Sequence, residues 1–530
     1  MQIPIGMRTK VLVPLSIILS SITFPLMAQD PPPTVSITAV ALDEGASTVQ
    51  ITFDLIDPGN SPCEILFRAS MDEGVTFIET ANVSGDIGTG IAPGNNKSLI
   101  WNYGALANIH AATIEVIAIN DVVPDIQNMV DQVDQQQLMD RLQSIAIPRH
   151  HTSAPQGSQQ VRDTIHDTFE QLGLQTTVHV ANFSGAQADN VLGRHVGAID
   201  PIKTFIVDGH YDAVAGTPGA DDNGTAVAAT LEIARVLSQY RFRNSLRFIG
   251  FSFEEQGVIG SQQYVQNGMP AWEEVHGVLN MEMIGYYSDQ PGSQTTPDGF
   301  ELLFPAAHAE LQANEFRGDF LTVVGNTASD PLNNIFVSAI DQYVPLLERI
   351  PLSVPGNGQI APDLRRSDHA PFWDAGIPAL MLTDGSNFRN PNYHLPTDDI
   401  STIDPVFFTN STKAVLAAAA MLAEPINAGS DRRSLAEFVG VHEHHATFPC
   451  SVEVHPNPAT DRISIRLGGC NNERVIAELF DLKGNRLAGK ELIASAEDHQ
   501  FDLSQIGAGL YLLVLKAGES SATVKVEVQR

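Results

Sequence analysis

The sequence is poor in cysteine and in basic residues, and both shortages restrict what the protein can do. Only three of the 530 residues are cysteine, at Cys63, Cys450 and Cys470. We therefore expect neither thiol chemistry nor a cysteine-rich metal site, although Cys450 and Cys470 could pair with each other. The 30 lysines and arginines are outnumbered by 62 aspartates and glutamates, which gives a net charge of −32. Because this charge cannot neutralise a phosphate backbone, no nucleic-acid partner is expected.

Long hydrophobic runs are missing after the N-terminus. The apolar residues 11–27 follow a positive start and end at the small residue Ala28, which predicts a secretory signal peptide at residues 1–28. The alternative is a retained membrane anchor, and it is disfavoured because the run is short and interrupted by Pro14 and Pro25. We expect an exported protein with no transmembrane segment once the signal is removed.

The rest of the chain is too long for one domain and divides into three folded parts. Residues 34–122 contain short β-type runs separated by turns, which predict an immunoglobulin- or fibronectin-like β-sandwich with Trp101 in its core. Residues 126–425 alternate helices with apolar strands. They predict an α/β domain whose mixed, mostly parallel sheet is flanked by helices. Residues 426–447 are predicted to be a polar linker, and residues 450–530 a second small β-sandwich.

Acidic and histidine side chains follow the predicted strands of the α/β part. In open α/β sheets the ligand crevice lies at the carboxyl ends of the strands, so these side chains are expected to converge. Two histidines with three or four carboxylates suit a pair of zinc ions. The set comprises His210, Asp212, Asp221, Asp222, Glu254, Glu255, Glu282 and His394.

Two pairs of adjacent carboxylates carry most of this hypothesis. Glu254 and Glu255 end an apolar strand, where one can bind a metal while the other takes a proton from water. A solvated pair at a strand edge is the alternative, and the apolar Phe251 and Phe253 disfavour it. Residues 219–224 form a tight turn before a helix, so one aspartate there can cap the helix while the other is free for metal.

The α/β part resembles peptidase family M28, whose members are co-catalytic zinc peptidases and chiefly aminopeptidases. The resemblance rests on six ordered motifs: His210-Tyr211-Asp212, Gly219-Ala220-Asp221-Asp222-Asn223-Gly224, Phe253-Glu254-Glu255-Gln256-Gly257, Asn280-Met281-Glu282-Met283-Ile284-Gly285, Arg366-Ser367-Asp368-His369-Ala370-Pro371-Phe372 and Tyr393-His394 with Pro396 and Asp398.

The resemblance assigns roles to particular residues. It implies that His210, Asp221 and Glu282 hold one zinc ion. It implies that Asp221, Glu255 and His394 hold a second, with Asp221 shared. Glu254 would be the general base and Asp212 would support His210. The family usually has aspartate at the position of Glu282, and glutamate also offers oxygen to zinc.

A substrate surface is harder to assign from the sequence. Asp368 and His369 are candidates for binding substrate, and a buried structural pair is an equal alternative. Arg389 is expected to line the mouth of the site or to fix the loop before His394. The segment from Ser288 to Gly358 is expected to shape the specificity pocket.

The C-terminal part resembles the sorting domain of the Bacteroidetes type IX secretion system. The matching residues are His455-Pro456-Asn457-Pro458, Phe480-Asp481-Leu482-Lys483-Gly484 and Gly507-Ala508-Gly509-Leu510-Tyr511-Leu512. The resemblance implies an interaction with that secretion machinery, followed by release or attachment at the outer-membrane surface. A carbohydrate-binding sandwich is the alternative. It is disfavoured because residues 450–530 contain one tyrosine and no tryptophan.

Together these features predict a secreted aminopeptidase that uses two zinc ions to hydrolyse N-terminal residues from peptides. A carboxypeptidase is one alternative, with Arg365, Arg366 or Arg389 pairing with the terminal carboxylate. A glutaminyl cyclase-like acyltransferase with one zinc is another. An inactive surface adhesin is the third, and it would be expected to have lost a ligand or the base.

Overall fold

The computed structural model describes residues 31–529 apart from 73, 75, 78–81, 107–108, 439–449, 470–473, 482–485, 495–497 and 518–519. The predicted signal peptide, Cys470 and residues 439–447 of the predicted linker lie outside the described residues. Of the other two cysteines, Cys63 is free and buried, whereas Cys450 is disulfide-bonded.

The N-terminal β unit consists of two antiparallel sheets that share one apolar core. Its strands are β1 (Thr34–Asp43), β2 (Thr48–Ile56), β3 (Cys63–Ser70), β4 (Val83–Gly85), β5 (Gly88–Ile91), β6 (Gly94–Asn102) and β7 (Thr113–Ile119). One sheet has the order β1-β2-β6-β4. Trp101 is 2% exposed between the sheets and packs against Phe67 and Tyr103, as predicted for a core residue.

A large α/β unit follows. Its helices are α1 (Ile126–Val130), α2 (Gln135–Ile145), α3 (Pro155–Gln171), α4 (Ala226–Leu237), α5 (Ile259–Gln263), α6 (Phe300–Leu303), α7 (Pro305–Ala313), α8 (Asp330–Tyr343), α9 (His369–Asp374) and α10 (Pro405–Ala423). Its strands are β8 (Gln175–Phe183), β9 (Ala186–His195), β10 (Asp200–His210), β11 (Arg241–Phe242), β12 (Asn244–Phe251), β13 (Glu274–Met281), β14 (Phe320–Asn326), β15 (Glu348–Val354), β16 (Ala379–Thr383) and β17 (Pro425–Ile426).

Eight of these strands form the central sheet, in the order β15-β14-β16-β13-β10-β12-β9-β8. The four central strands β16, β13, β10 and β12 run parallel, whereas β9 and β14 each pair antiparallel with their inner neighbour. Apolar clusters lie on both faces, one beneath α2, α4 and α10 and the other beneath α7 and α9. The structure therefore confirms a mixed α/β fold, and its parallel strands bring several carboxyl ends to one edge.

Helix α10 satisfies the length and hydropathy expected of a membrane-spanning helix, and among the described helices no other does. Within its most apolar stretch, 78% of the residues are buried inside the protein. Its residues Phe408, Val415 and Leu416 belong to the core beneath the central sheet. The helix is apolar because it packs against the sheet and several other helices.

The chain returns to the N-terminal β unit after α10. Strand β18 (Ala428–Ser434) pairs antiparallel with β7 over its whole length, and α11 (Leu435–Phe438) follows it. The second sheet thus has the order β18-β7-β3-β5. The predicted linker is therefore wrong for residues 428–438, because these polar residues supply an edge strand, and Leu435 is fully buried in the core.

The C-terminal unit begins at Cys450 and is again made of strands. They are β19 (Ser451–His455), β20 (Arg462–Gly468), β21 (Arg474–Phe480), β22 (Arg486–Ile493), β23 (His499–Asp502), β24 (Gly509–Ala517) and β25 (Ser520–Val528). Two sheets, β19-β20-β23 and β22-β21-β24-β25, contribute side chains to one apolar core.

Candidate active site

The candidate site lies where the central parallel strands end. His210 is the last residue of β10, Glu254 and Glu255 follow β12, and Glu282 follows β13. A turn at Ala220–Thr225 precedes α4 and brings Asp222 to the same edge. This is the position at which open α/β sheets bind ligands.

Asp222 joins two groups of potential metal ligands. The first group is His210, Asp222 and Glu282, and the second is Asp222, Glu255 and His394. His210 Nε2 lies 3.4 Å from Asp222 Oδ1 and 3.4 Å from Glu282 Oε2. His394 Nε2 lies 3.2 Å from Asp222 Oδ2 and 3.3 Å from Glu255 Oε2.

These separations fit zinc. With bonds of about 2.0–2.1 Å, neighbouring ligand atoms of a tetrahedral zinc site lie about 3.4 Å apart. His210 Nε2 is fully buried and has no hydrogen-bond partner among the described residues, so a cation there would satisfy it. Imidazole nitrogen and carboxylate oxygen are both ligands that zinc accepts. Each group can therefore hold one ion, with one carboxylate oxygen of Asp222 turned towards each.

Asp221, which the sequence predicts as the shared ligand, points away from both groups. Its Oδ1 accepts a hydrogen bond from the Gly285 amide at 3.0 Å, and its Oδ2 accepts one from Asn390 Nδ2 at 2.8 Å. The prediction is wrong by one residue. Neighbouring side chains in a turn point in different directions, and here the turn directs Asp222 into the site.

Two further carboxylates hold the ligand segments in place. Asp212 accepts hydrogen bonds from the amides of Glu254 and Glu255, each at 3.1 Å. Its Oδ1 also lies 3.5 Å from His210 Nδ1, which is nearer still to the Asp212 carbonyl oxygen at 3.2 Å. Asp398 accepts hydrogen bonds from the amides of Asp221 and Asp222 at 2.9 and 3.1 Å. Such supporting contacts orient metal ligands.

Glu254 lies beside the ligands but belongs to neither group. Its Oε2 is 3.7 Å from His210 Nε2, and its side chain is 13% exposed. Burial raises the pKa of Glu254, and the nearby Glu282 acts in the same direction while His210 opposes it. A carboxylate that is close to the ligands and not used by them is free to move a proton.

Glu282 is held on the opposite side of the first group. Its Oε2 accepts a hydrogen bond from Ser367 Oγ at 2.7 Å, and Asn223 Nδ2 lies 3.5 Å away. Asn223 is itself fixed, because it donates to the Met281 carbonyl and accepts from the Met283 amide. The longer glutamate side chain therefore has a defined position.

Arg149 also supports the site, although no motif in the sequence identifies it. Its guanidinium is fully buried, and among the described residues it donates only to backbone carbonyls. The acceptors include the carbonyls of Tyr211 at 2.6 Å, Gly219 at 2.7 Å and Asp222 at 3.4 Å. Arg149 thus ties the end of β10 to the turn that carries Asp222.

The three residues predicted to meet the substrate lie inside the fold. His369 is fully buried, with Nε2 3.0 Å from the Leu364 carbonyl and its ring against Trp373. Arg389 is 5% exposed, donates to Gln294 Oε1 at 2.8 Å and lies over the Phe320 ring. Asp368 is also fully buried, and burial raises its pKa to about 7. These placements favour structural roles, so we assign none of the three to the substrate surface.

A pocket of about 700 Å³ adjoins the first group, because Glu282 lines it. Much of its wall comes from the segment between Ser288 and Gly358, which was expected from the sequence to shape the specificity pocket. The polar lining residues include Asp363, Arg366 and Tyr393. The apolar lining residues are Pro297, Phe300, Leu311, Phe320, Val324, Ile350, Leu352, Leu364, Met381 and Phe388.

The C-terminal unit matches the model of the secretion system C-terminal sorting domain over residues 453–529. This match confirms the resemblance seen in the sequence. It indicates type IX secretion, and so a secreted or cell-surface protein of a Bacteroidetes-like bacterium.

The α/β unit matches the model of peptidase family M28 over residues 190–419. Aminopeptidase YwaD of Bacillus subtilis is 25% identical over 236 residues, which cover 43% of this chain and 43% of that protein. The chain thus spans less than half the length of this relative. The crystal structure of the LapA aminopeptidase of Legionella pneumophila aligns with the structure of this protein at a TM-score of 0.45. The two sequences are 20% identical, and the alignment covers 57% of this chain and 77% of the LapA chain.

An uncharacterised Escherichia coli protein, YfbL, is 32% identical over 251 residues, which cover 44% of this chain and 71% of the E. coli protein. The family model spans the segments that carry His210, Glu255 and Glu282. The chain therefore belongs to peptidase family M28 and is a zinc-dependent hydrolase.

Proposed function

We propose that this protein is a secreted di-zinc aminopeptidase that removes N-terminal residues from peptides. One observation carries the proposal: two groups of three ligands share Asp222, and Glu254 lies beside them without belonging to either. The B. subtilis relative is an aminopeptidase by name, which agrees with the proposal. The predicted signal peptide and the sorting domain suit an extracellular enzyme, and we infer that the two flanking β units are sandwiches.

The proposed chemistry divides between the metals and the protein. Zinc held by His210, Asp222 and Glu282 and by Asp222, Glu255 and His394 would polarise the scissile carbonyl and make water acidic enough to attack it. Glu254 takes the proton from the attacking water and delivers it to the leaving amine. Asp212 keeps Glu254 in reach, because it holds the Glu254 amide at 3.1 Å.

The charges around the pocket favour a free N-terminus over a C-terminal carboxylate. A carboxypeptidase needs a cation that is available for bidentate pairing. Of the three candidate arginines, Arg365 pairs with Asp374 at 2.7 Å and Arg389 is buried beneath the site. Arg366 alone lines the pocket, and its Nη1 and Nη2 already donate to Asn387 and Tyr393. An α-amine would instead meet the carboxylate of Glu282, which lines the pocket.

The pocket also indicates which N-terminal residues are accepted. Its deep wall consists of large apolar side chains, among them Phe300, Phe320, Leu352 and Met381. Burying an apolar side chain there contributes about 1.5–3 kcal/mol relative to leaving it in water. We therefore propose that leucine, methionine or phenylalanine at the N-terminus is preferred over charged residues.

A substrate panel tests the proposal. The purified full-length protein should hydrolyse leucyl and phenylalanyl amides and short peptides with free amines, and N-acetylation of the same peptides should abolish most cleavage. Amidating the peptide C-terminus should leave the rate unchanged. The opposite pattern would establish the carboxypeptidase, in which case Arg366→Gln should remove activity.

Glu254→Gln tests the assignment of the base. It should retain zinc and fold while lowering kcat by about 10²–10⁴-fold, because it removes a proton acceptor and no ligand. Glu274→Gln, a change at the exposed start of β13, is the matched control and should leave kcat unchanged. A near-normal rate in Glu254→Gln would place the base elsewhere.

A glutaminyl cyclase-like acyltransferase with one zinc remains the second enzyme hypothesis from the sequence. Metal analysis separates it from the proposal, because both ligand groups are complete among the described residues. About two zinc ions per chain are expected, and activity should be lost on chelation. A single tightly held ion, with cyclisation of N-terminal glutamine, would favour the acyltransferase.

A further inference from the structure

We propose that a cleft between the N-terminal β unit and the α/β unit binds a phosphate- or sulfate-bearing ligand. The cleft has a volume of about 1040 Å³ and lies apart from the candidate active site. Arg68, Glu115 and Arg432 line it from the N-terminal β unit, and Arg194 and Arg241 line it from the α/β unit.

The cleft carries an excess of positive charge. Four arginines and one carboxylate line it, so its local formal charge is 4 − 1 = +3. This contrasts with the net charge of −32 on the whole chain. A local excess of this kind concentrates anions from solution.

Glu115 cannot neutralise the whole group. It is 1% exposed and pairs with Arg68 at 2.7 Å and with Arg432 at 2.9 Å, so both its partners come from the N-terminal β unit. Arg241 donates to Ser430 Oγ at 3.0 Å, and no carboxylate within the described part of the chain lies within ion-pair distance of it. One guanidinium is therefore left with a neutral partner in the cleft.

The arginines also act on one another. Burial lowers the pKa of Arg68, and the nearby Arg432 and Arg241 act in the same direction, while Glu115 opposes them. Burial lowers the pKa of Arg194 to about 10. Glu273, 3.8 Å away, opposes this change, while Arg247 and Arg68 act in the same direction as burial. Glu115 and Glu273 offset part of the repulsion between these like charges, and an anion that enters beside Arg241 would offset more of it.

The geometry of the donors selects the class of anion. Guanidinium groups present parallel N–H donors that match the oxygens of phosphate and sulfate. Gln175, Gln239 and Tyr240 add neutral polar groups to the lining. Because these neutral groups line the cleft together with the arginines, an ester of phosphate or sulfate could contact it as well as the free oxyanion.

Isothermal titration of the full-length protein tests this inference. The probes are sodium phosphate, sodium sulfate, glucose 6-phosphate and glucose 6-sulfate, with sodium chloride at equal ionic strength as the reference. Saturable binding of at least one oxyanion is expected, with none for chloride. An ester that binds more tightly than the inorganic ion would identify an organic ligand, and equal affinity would identify the free oxyanion. If none of the four probes shows saturable binding at concentrations up to about 10 mM, the proposal is overturned. A dissociation constant of about 10 mM corresponds to a binding free energy of only about −2.7 kcal/mol.

A matched pair of variants locates the site. Arg241→Gln should weaken binding by about 10-fold or more, since it removes one charge-assisted contact. Arg243→Gln, two residues away and paired with Glu424 outside the cleft, should bind as the wild type does. Peptide hydrolysis should be unchanged in both. Equal affinity in Arg241→Gln and wild type would overturn the proposed location.

Discussion

At the residue scale, the two neighbouring aspartates of the turn before α4 have different surroundings. Asp222 faces His210 and His394, whereas Asp221 faces Gly285 and Asn390. Asp222→Asn should therefore weaken zinc binding by more than the 10–100-fold typical of a supporting residue. Asp221→Asn, its matched control, should weaken zinc binding by about 10-fold or less.

Competition with a chromophoric chelator measures both affinities in the same preparation. Loss of zinc in Asp221→Asn together with retention in Asp222→Asn would restore the assignment made from the sequence. Thermal unfolding of each variant shows whether the fold survives the change.

The sequence predicts which segments meet at this site, because each one follows a strand or carries a recognisable motif. It does not identify which of two adjacent aspartates is shared, since that depends on the backbone of a six-residue turn. It gives no signal for Arg149, because the acceptors that connect it to the site are carbonyls of residues more than 60 positions away, such as Tyr211 and Gly219. It also does not show that His369 and Arg389 are buried, because burial depends on the packing of α9 and its neighbours.

Arg149 is predicted to act on zinc through Asp222 and His210. Arg149→Met removes the buried guanidinium that donates hydrogen bonds to the carbonyls of both Tyr211 and Gly219. Zinc affinity should therefore fall by about 10–100-fold. Arg149→Lys keeps the charge but reaches fewer carbonyls, and it should recover only part of the affinity. The absorption spectrum of the cobalt-substituted protein gives a second readout of ligand geometry.

Arg162→Lys is the control for this pair, because Arg162 pairs with Asp163 and Asp189 away from the ligands. If the folded Arg149 variants bind zinc as tightly as the wild type does and give the same cobalt spectrum, Arg149 has no positioning role.

At the scale of elements, β18 was not predicted because its sequence lacks the usual pattern of a strand. Residues Ala428–Ser434 are mostly small or charged, which is typical of a polar linker and also of an edge strand. The central strands β10, β12, β13 and β16, by contrast, each contain a buried apolar run, which is the pattern that predicts a strand. Only the tertiary structure shows that β7 needs a partner from beyond α10.

This pairing changes where the protein can be shortened. A chain ending at Pro425 loses β18, the buried Leu435 and the contact of Asp431 with the Ile37 amide. Its N-terminal β unit should be destabilised by several kcal/mol, because a buried leucine alone contributes about 2–5 kcal/mol. A chain ending at Phe438 keeps all three features and should unfold as the full-length protein does.

Calorimetric unfolding compares the two truncated chains, and peptide hydrolysis checks the active site in both. Both chains retain all the ligand residues, so zinc-dependent turnover should persist at low temperature. An equal unfolding midpoint for the two chains would show that β18 adds nothing to stability.

At the scale of the whole molecule, charge is distributed unevenly. Glu115, among the arginines of the cleft, makes the free energy of unfolding depend on pH. Burial raises the pKa of Glu115, but Arg68 and Arg432 outweigh burial and hold it below the ordinary glutamate value. The unfolded chain therefore binds the proton more readily, so this contribution is present above about pH 4.3 and is lost as the pH falls through the lower folded value.

Comparison with Glu115→Gln isolates this contribution from the other acidic groups. The variant should be less stable than the wild type near pH 7, and the difference should shrink as the pH is lowered below about 4.3. Urea unfolding across this pH range measures it, with Glu64→Gln, a change at a half-buried position on the neighbouring strand β3, as the control. A difference that stays constant with pH would show that the Glu115 carboxylate does not titrate as proposed.

Because β18 pairs with β7, the N-terminal β unit can be completed only late in the synthesis of the chain. Strand β7 ends at residue 119 and its partner begins at residue 428, so 428 − 119 = 309 residues separate them. At about 5–20 residues per second, a ribosome needs roughly 15–60 s to make this stretch. For that time the apolar β7 presents an open edge that can pair with other chains. The N-terminal β unit therefore stays incomplete until β18 has been made, and shielding β7 during that time would protect the nascent chain from aggregation.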